Sequence, residues 1–298
     1  QPGLDRMARD EMLRYFDFEH PKNWHLVRAR NLPGSELSSE RIGRGAGIRW
    51  VQRLIKQGKR VDAITLAQKL QTNSEIRVKL HVGSDPLFDP NLRTYEGEAE
   101  LATPEVALEI LNDAFKKYVE GEKALNEAIE KEGDLTAKEN LLYLRDKMLP
   151  RHRGRAYNNR GYALARLNRH QEAVDDYSRA LPRLRETGLP LQIAITTTNL
   201  AFANIYTGRF LAAENLCREA IKICIDNRLD YQKGLALNAL ALVDVAAERP
   251  HRAKDLTDLV LELFRAIREG GDKRGMGLAN LARGKALRRI ARLDLYPD

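Results

Sequence analysis

Residues 158–181, NNRGYALARLNRHQEAVDDYSRAL, decide the fold once they are set beside 198–221, TNLAFANIYTGRFLAAENLCREAI, and 238–261, NALALVDVAAERPHRAKDLTDLVL. Small residues return every 40 positions, as Gly161, Ala201 and Ala241 and again as Ala173, Ala213 and Ala253. A fixed period of this size marks a repeat array, in which each unit buries its apolar face only by stacking on its neighbours. Each unit reads as a helix, a short turn and a second helix. The small residues fall where antiparallel helix axes about 8–10 Å apart leave no room for a long side chain. Large apolar residues alternate with them: Tyr157, Leu164 and Leu167, then Leu200, Ile205 and Phe210, then Leu240 and Val245. Tyr177, Ala180, Leu216, Ala220, Leu256 and Val260 continue the apolar face on the second helices, at helical spacing. Turn signals stand between helices at Asn168-Arg169, Gly208-Arg209 and Arg249-Pro250, and between units at Thr187–Pro190 and Gly270-Gly271.

Gly161, Ala173, Tyr177 and Ala180 resemble the tetratricopeptide repeat at its eighth, twentieth, twenty-fourth and twenty-seventh positions. The second unit keeps Ala201, Ala213 and Ala220 but has Cys217 in place of the aromatic residue, and the third has Thr257 and Val260. The unit length of 40 also exceeds the 34 residues usual in that family. Longer units of this kind are similar to those in the sensor arms of STAND-type signalling ATPases and in helical-repeat bacterial regulators. The resemblance implies an all-α, right-handed superhelical solenoid of antiparallel helix pairs. It also implies a non-catalytic scaffold that binds a protein or peptide, or senses a ligand, on its concave face.

Elsewhere the pattern is less regular. Residues 1–46 hold an aromatic cluster of Tyr15, Phe16, Phe18 and Trp24, read as a cap on the first open end of the stack. Residues 47–150 read as degenerate helical repeats, beginning with a helix pair that turns at Gly58-Lys59 and carries Ala63, Ala67 and Leu70 on its second helix. An irregular insertion is expected near 74–103, where Ile76, Val78, Leu80 and Val82 alternate as in a strand and Asp85-Pro86 and Asp89-Pro90 break the chain. Helices are expected at about 104–119, 121–132 and 136–149, with Pro150 separating the last from the regular array. The array itself occupies 151–298, as units at about 157–182, 195–227 and 235–269 and a partial one at 275–292.

Composition narrows the function classes. The 298 residues are 43% apolar and 31% charged, the balance of a folded helical protein and not of a disordered one. No apolar run approaches the roughly 20 residues that span a bilayer, so no membrane association and a cytoplasmic location are expected. Cys217 and Cys224 lie seven residues apart on one helix, too far along it for a disulfide, and read as core thiols. The chain opens on Gln1 instead of Met, which reads as a segment of a longer regulatory polypeptide with an effector domain elsewhere in it.

In a tetratricopeptide stack the second, fifth, sixth, ninth and thirteenth positions of each first helix face the groove. Carried onto this sequence, the resemblance implies a site of Arg155, Asn158, Asn159, Tyr162 and Arg166, then Thr198, Asn199, Phe202 and Tyr206, then Asn238, then Asn280 and Arg283. Leu235 and Leu242 share the third helix, whose sixth position is Ala239. A side-chain amide both donates and accepts, so recurring asparagines suit the backbone of an extended peptide, and the aromatics beside them suit its apolar side chains. The competing assignment gives those amides to solvent or to the next helix. A second hypothesis comes from the net charge of +8 and the basic run at 265–292, which includes Arg288, Arg289 and Arg292 and would suit a nucleic-acid-associated regulator. An oligomerising structural scaffold is the third.

Catalytic and cofactor chemistry finds no foothold. Gly43, Gly45 and Gly47 lack the Lys-Ser/Thr of a phosphate loop. None of His20, His25, His81, His152, His170 and His251 is spaced to pair with another on one helix, and neither cysteine has a partner at zinc-ligand spacing. No catalytic residue, metal or cofactor is expected.

Overall fold

The computed structural model describes residues 48, 51–72, 86–267 and 273–295. The expected cap at 1–46, the strand at 76–82, the glycines at 43–47 and the Gly270-Gly271 turn lie outside the described residues. A helical stretch at 51–56 precedes α1 (Arg60–Thr72), α2 (Phe88–Ala99) and α3 (Pro104–Lys131). Then come α4 (Leu135–Tyr143), a π-helical turn (Leu144–Met148) and α5 (Leu149–Arg166). The regular array follows as α6 (His170–Glu186), α7 (Pro190–Tyr206), α8 (Phe210–Asp226), α9 (Asp230–Ala246), α10 (Pro250–Ile267) and α11 (Lys273–Leu295). Each helix packs on the next, and α5, α7, α9 and α11 also touch in series. With no strand among the described residues, the architecture is a helical solenoid.

The turns explain why the helices stop where they do. Asn168, Gly208 and Glu248, spaced by the repeat, have φ of 58°, 77° and 59°, and Gly188 and Arg228 at the turns between units have 63° and 55°. One left-handed residue lets the following N–H reach back to a helix carbonyl and satisfy it: Arg169 to Leu164 at 2.9 Å, Arg209 to Asn204 at 2.8 Å, Leu229 to Cys224 at 2.9 Å, Arg249 to Asp244 at 2.8 Å.

Packing inside each unit rests on two contacts between the helices, and their sizes are matched. A methyl on Gly161 would lie 2.9 Å from Cε1 of Tyr177, and one on Gly154 would lie 3.1 Å from Cγ of Leu184. At equivalent positions the second unit has Ala201 with Cys217 and Ala194 with Cys224, all buried. The third has Ala241 with Thr257, and Gly234 with Phe264, where a methyl on Gly234 would come within 2.6 Å of Cζ. A larger side chain on one helix is met by a smaller residue on the other. Cys217 and Cys224 are thus the small side chains that face Ala201 and Ala194, free and buried as core thiols should be, with burial pushing their pKa values up to about 12 and about 11.

Three sequence expectations differ from the structure. The break expected between the helices at 104–119 and 121–132 is absent: α3 runs unbroken through it, and Gly121 is buried where a methyl would lie 2.4 Å from the Pro86 carbonyl oxygen. Close approach of a neighbouring backbone selected it, not flexibility. Pro150 does not separate helices either, since α4, the π turn and α5 are continuous. The Leu149 N–H bonds to the Leu144 carbonyl, and the widened turn relieves the clash and missing donor that proline brings to an α-helix interior. The broken stretch before residue 103 contains α2, whose Pro90 sits in the first turn, where its missing N–H is harmless.

Candidate functional site

Gly161, Ala201 and Ala241 face the second helices, and other side chains of the same first helices face away from those contacts. There they line one concave cavity of about 2110 Å³. Helix α5 contributes Arg155, Asn158, Asn159, Tyr162 and Arg166, and α7 contributes Ile195, Thr198, Asn199, Phe202 and Tyr206. From α9 come Leu235, Asn238 and Leu242. Helix α11 buries Gly275, Ala279 and Ala282 and lines the cavity with Leu278, Leu281 and Lys285. At 100° per residue Asn280 and Arg283 fall on its other flank. There Asn280 is exposed, and Arg283 donates to Asp258 at 2.6 Å.

The N-terminal half adds a wall that the sequence reading missed. Gln52 and Lys56 project from the first described helix, and Asn91, Tyr95, Glu98 and Ala102 from α2 and its exit. Gly97, Ala107, Leu111 and Ala114 repeat the spacing of Gly161, Ala173, Tyr177 and Ala180 with the turn two residues shorter. A methyl on Gly97 would lie 2.7 Å from Cγ of Leu111, the same close helix contact as in the regular units. Helices α2 and α3 are therefore a full unit. Allowing a shorter turn would have revealed it.

Along the floor of the cavity the polar side chains bond to one another across units. The Gln52 amide donates to the Tyr95 hydroxyl, which also accepts from Arg155 Nη1 at 3.1 Å. Arg155 grips Glu98 through Nε at 3.0 Å and Nη2 at 3.1 Å, and its guanidinium lies 4.4 Å from the Tyr95 ring centroid. Asn159 donates to Glu98 at 3.2 Å, and Asn158 donates to Asn159 at 3.3 Å. Asn158 Oδ1 in turn accepts from Thr196 at 3.0 Å and from Asn199 at 3.2 Å. Asn238, only 1% exposed, donates to the Gly275 carbonyl at 3.4 Å. The recurring asparagines thus join successive first helices.

The rest of the cavity surface holds basic and apolar side chains among neutral polar ones such as Gln192 and Gln232. Among the described residues, Lys56, Arg60, Arg151, Arg155, Arg166 and Lys285 line it against Glu98 and Glu132. His152 stays neutral there, its pKa pushed down to about 3 by burial and then by Arg151 and Arg155. Leu191, Tyr206 and Leu281 reach into the cavity 43%, 60% and 54% exposed, with Tyr206 stacked on His170 at 4.5 Å between ring centroids. Thr198 is buried and Phe202 half-buried beside them. Among the described residues no group of His, Cys, Asp or Glu could hold a metal ion, and no helix is long and apolar enough to cross a membrane.

Helix pairs stacked around a continuous concave face define a helical-repeat binding scaffold. Residues 152–226 match the tetratricopeptide repeat family. No curated protein matches the sequence. Among solved structures, BtubC (BKLC) from P. vanneervenii is 17% identical with a TM-score of 0.47, over 83% of this chain and 93% of that one. The TPR2AB-domain:pHSP90 complex of yeast Sti1 is 16% identical with a TM-score of 0.37, over 82% and 98%. A STAND protein with a tetratricopeptide repeat sensor from Pyrococcus horikoshii is 14% identical with a TM-score of 0.41, over 96% of this chain and 46% of that one.

Proposed function

We propose that the chain is a non-catalytic scaffold whose cavity takes an extended segment of a partner protein rich in acidic and apolar side chains. The observation that carries this reading is the lining: among the described residues, six basic side chains against two acidic ones, with Leu191, Tyr206 and Leu281 exposed among them. A concave wall of one charge sign concentrates ligands of the other, and exposed aromatic and leucine side chains supply anchor area. On the same reading the cavity is the sensing surface of a regulatory protein, and an effector domain in the same polypeptide responds to its occupancy. The unit length supports that extension. The nucleic-acid alternative is weakened by the partners of the basic run, since Arg283 pairs with Asp258 and Arg289 with Glu248.

Peptides selected on the protein from a random display library test the reading. Enrichment in Asp, Glu and large apolar residues is expected, and binding should fall about tenfold or more when Arg166→Glu is combined with Tyr206→Ala. Peptides of no charge preference, or unchanged binding by that variant, would overturn it.

A further inference from the structure

The last helix differs from the other first helices of the regular array in having a face that no described residue covers. Gly275, Ala279, Ala282 and Ala286 of α11 are buried, Ala279 among Val260, Leu261 and Phe264 of α10. Leu278, Leu281 and Lys285 line the cavity. At 100° per residue the third face holds Gly277, Gly284, Leu287, Arg288, Ala291 and Leu295, with Leu287 40% and Leu295 73% exposed. Among the described residues no atom lies within 4 Å of where a methyl on either glycine would stand. On α5, α7 and α9 that face meets the second helix of the unit, through small residues that also stand seven apart: Gly154 and Gly161, Ala194 and Ala201, Gly234 and Ala241. Their counterparts stand seven apart in antiparallel order. Leu184 and Tyr177 lie against the two glycines of α5, and Phe264 against Gly234. Where alanine replaces glycine, the second helix offers Cys224, Cys217 or Thr257 instead.

From this we infer that the open face of α11 docks a helix of a partner protein that runs antiparallel to it, with two aromatic or leucine side chains seven residues apart opposite Gly284 and Gly277 and acidic side chains in the turn before them. Glycine at both positions sets the size of what fits, since the contacts inside the chain pair glycine with tyrosine, leucine or phenylalanine and alanine with cysteine or threonine. The docked helix extends the stack in which each earlier first helix takes part, and it covers Leu287 and Leu295. Antiparallel packing sets the turn before the first large residue beside Arg288 and Arg292, which are exposed and have no carboxylate partner among the described residues. Charge also argues against a second copy of α11 as the occupant. The helix holds seven basic residues and one acidic, so two of them would repel. The face lies on a different side of α11 from the cavity, so its occupation is independent of the function proposed there.

The probe is a fluorescent, end-capped, alanine-based helical peptide with tyrosine and leucine seven residues apart and two glutamates in the turn before the tyrosine. The whole chain is expected to bind it in an anisotropy titration. Affinity should fall about tenfold or more in Gly277→Leu combined with Gly284→Leu, whose side chains fill the face, and by a smaller factor in Gly284→Ala. A peptide with cysteine in place of the tyrosine should recover part of the loss in Gly284→Ala, as Cys217 suits Ala201. Circular dichroism of each variant confirms that the helices are intact. Arg166→Glu combined with Tyr206→Ala, which alters the cavity, should leave binding of this probe unchanged. Equal affinity of wild type and the double-leucine variant, loss of binding in the cavity variant, or no binding of the probe at all overturns the inference, and the cavity reading stands in each case. A dimer seen by light scattering in the wild type and abolished in the double-leucine variant would give the face to a second copy and overturn it as well.

Discussion

Replacing glycine by alanine should have opposite signs at two positions of this chain. In a helix interior alanine is favoured over glycine by about 1 kcal/mol, so an unobstructed site gains that amount. Gly284, mid-way along α11, has nothing within 4 Å of where a methyl would stand, and Gly284→Ala is expected to stabilise by about 1 kcal/mol. At Gly234 the methyl would lie 2.6 Å from Cζ and 2.9 Å from Cε1 of Phe264, a ring to which a methyl on Gly275 of α11 would also come within 2.6 Å. The ring is fully buried and wedged between two backbones, so it has nowhere to withdraw. Overpacking of this kind costs about 1–3 kcal/mol, and an overlap this deep belongs at the upper end. Setting that against the helix gain leaves Gly234→Ala destabilised by about 2 kcal/mol. Urea or thermal unfolding followed by circular dichroism reads both changes, at about 2–4 °C per kcal/mol for a chain of this order. Adding Phe264→Leu, the pairing that Gly154 has with Leu184, should show a favourable coupling of about 1 kcal/mol or more with Gly234→Ala. A neutral or stabilising Gly234→Ala, or strictly additive behaviour with Phe264→Leu, would refute the matched-contact argument.

Arg228→Gly and Glu248→Gly, at φ of 55° and 59°, should each stabilise by about 0.5–1 kcal/mol, the left-handed penalty less the entropy of glycine. Gly208→Ala, at 77°, should destabilise by about 1 kcal/mol, and unfolding midpoints check all three. His152 gives a pH dependence with a definite sign. Its folded pKa of about 3 lies below the ordinary histidine value, so the unfolded chain takes up the proton first as pH falls through about 6.5. The stability it contributes is present above that pH and lost on acidification. Urea midpoints at about pH 7 and about pH 5 should therefore differ less in His152→Asn than in the wild type, and an unchanged difference would remove His152 as the source.

The parts of the fold legible in the sequence were those where size alone repeats. Gly161, Ala201 and Ala241 were readable because any residue larger than alanine collides there. The α2–α3 unit obeys the same rule with Gly97, Ala107 and Ala114, but its turn is two residues shorter and Pro90 stands near its start, so a fixed period passes over it. The breaks expected beside Gly121 and at Pro150 are absent for a related reason. Each carries a local signal for a break, whereas the cause of each lies in its surroundings: the Pro86 carbonyl against α3, and the π turn ahead of α5. The loss of the family's aromatic residue along the array has a similar explanation. Cys217 and Thr257 stand opposite Ala201 and Ala241, where a tyrosine ring would need a glycine, so the departure of one position is matched by the other.

The asparagines show why the cavity's location was easier to read than the role of each residue in it. Helical register fixes which side chains face the concave side, and there the reading of α5, α7 and α9 coincides with the lining. Register does not fix whether a polar group there is left available. Asn158 accepts from two donors on α7 and donates to Asn159, and Asn159 is committed to Glu98. These amides therefore link successive first helices. An amide suits that position because it can donate to one neighbour and accept from another, passing the network along without burying a charge. Rigid spacing in turn benefits a binding surface, since a wall ordered before the partner arrives spares binding the entropy of ordering it. On the proposed reading, the groups that would meet a partner are those that the network does not absorb: Arg166 and Lys285 for charge, and Leu191, Phe202, Tyr206 and Leu281 for anchor area.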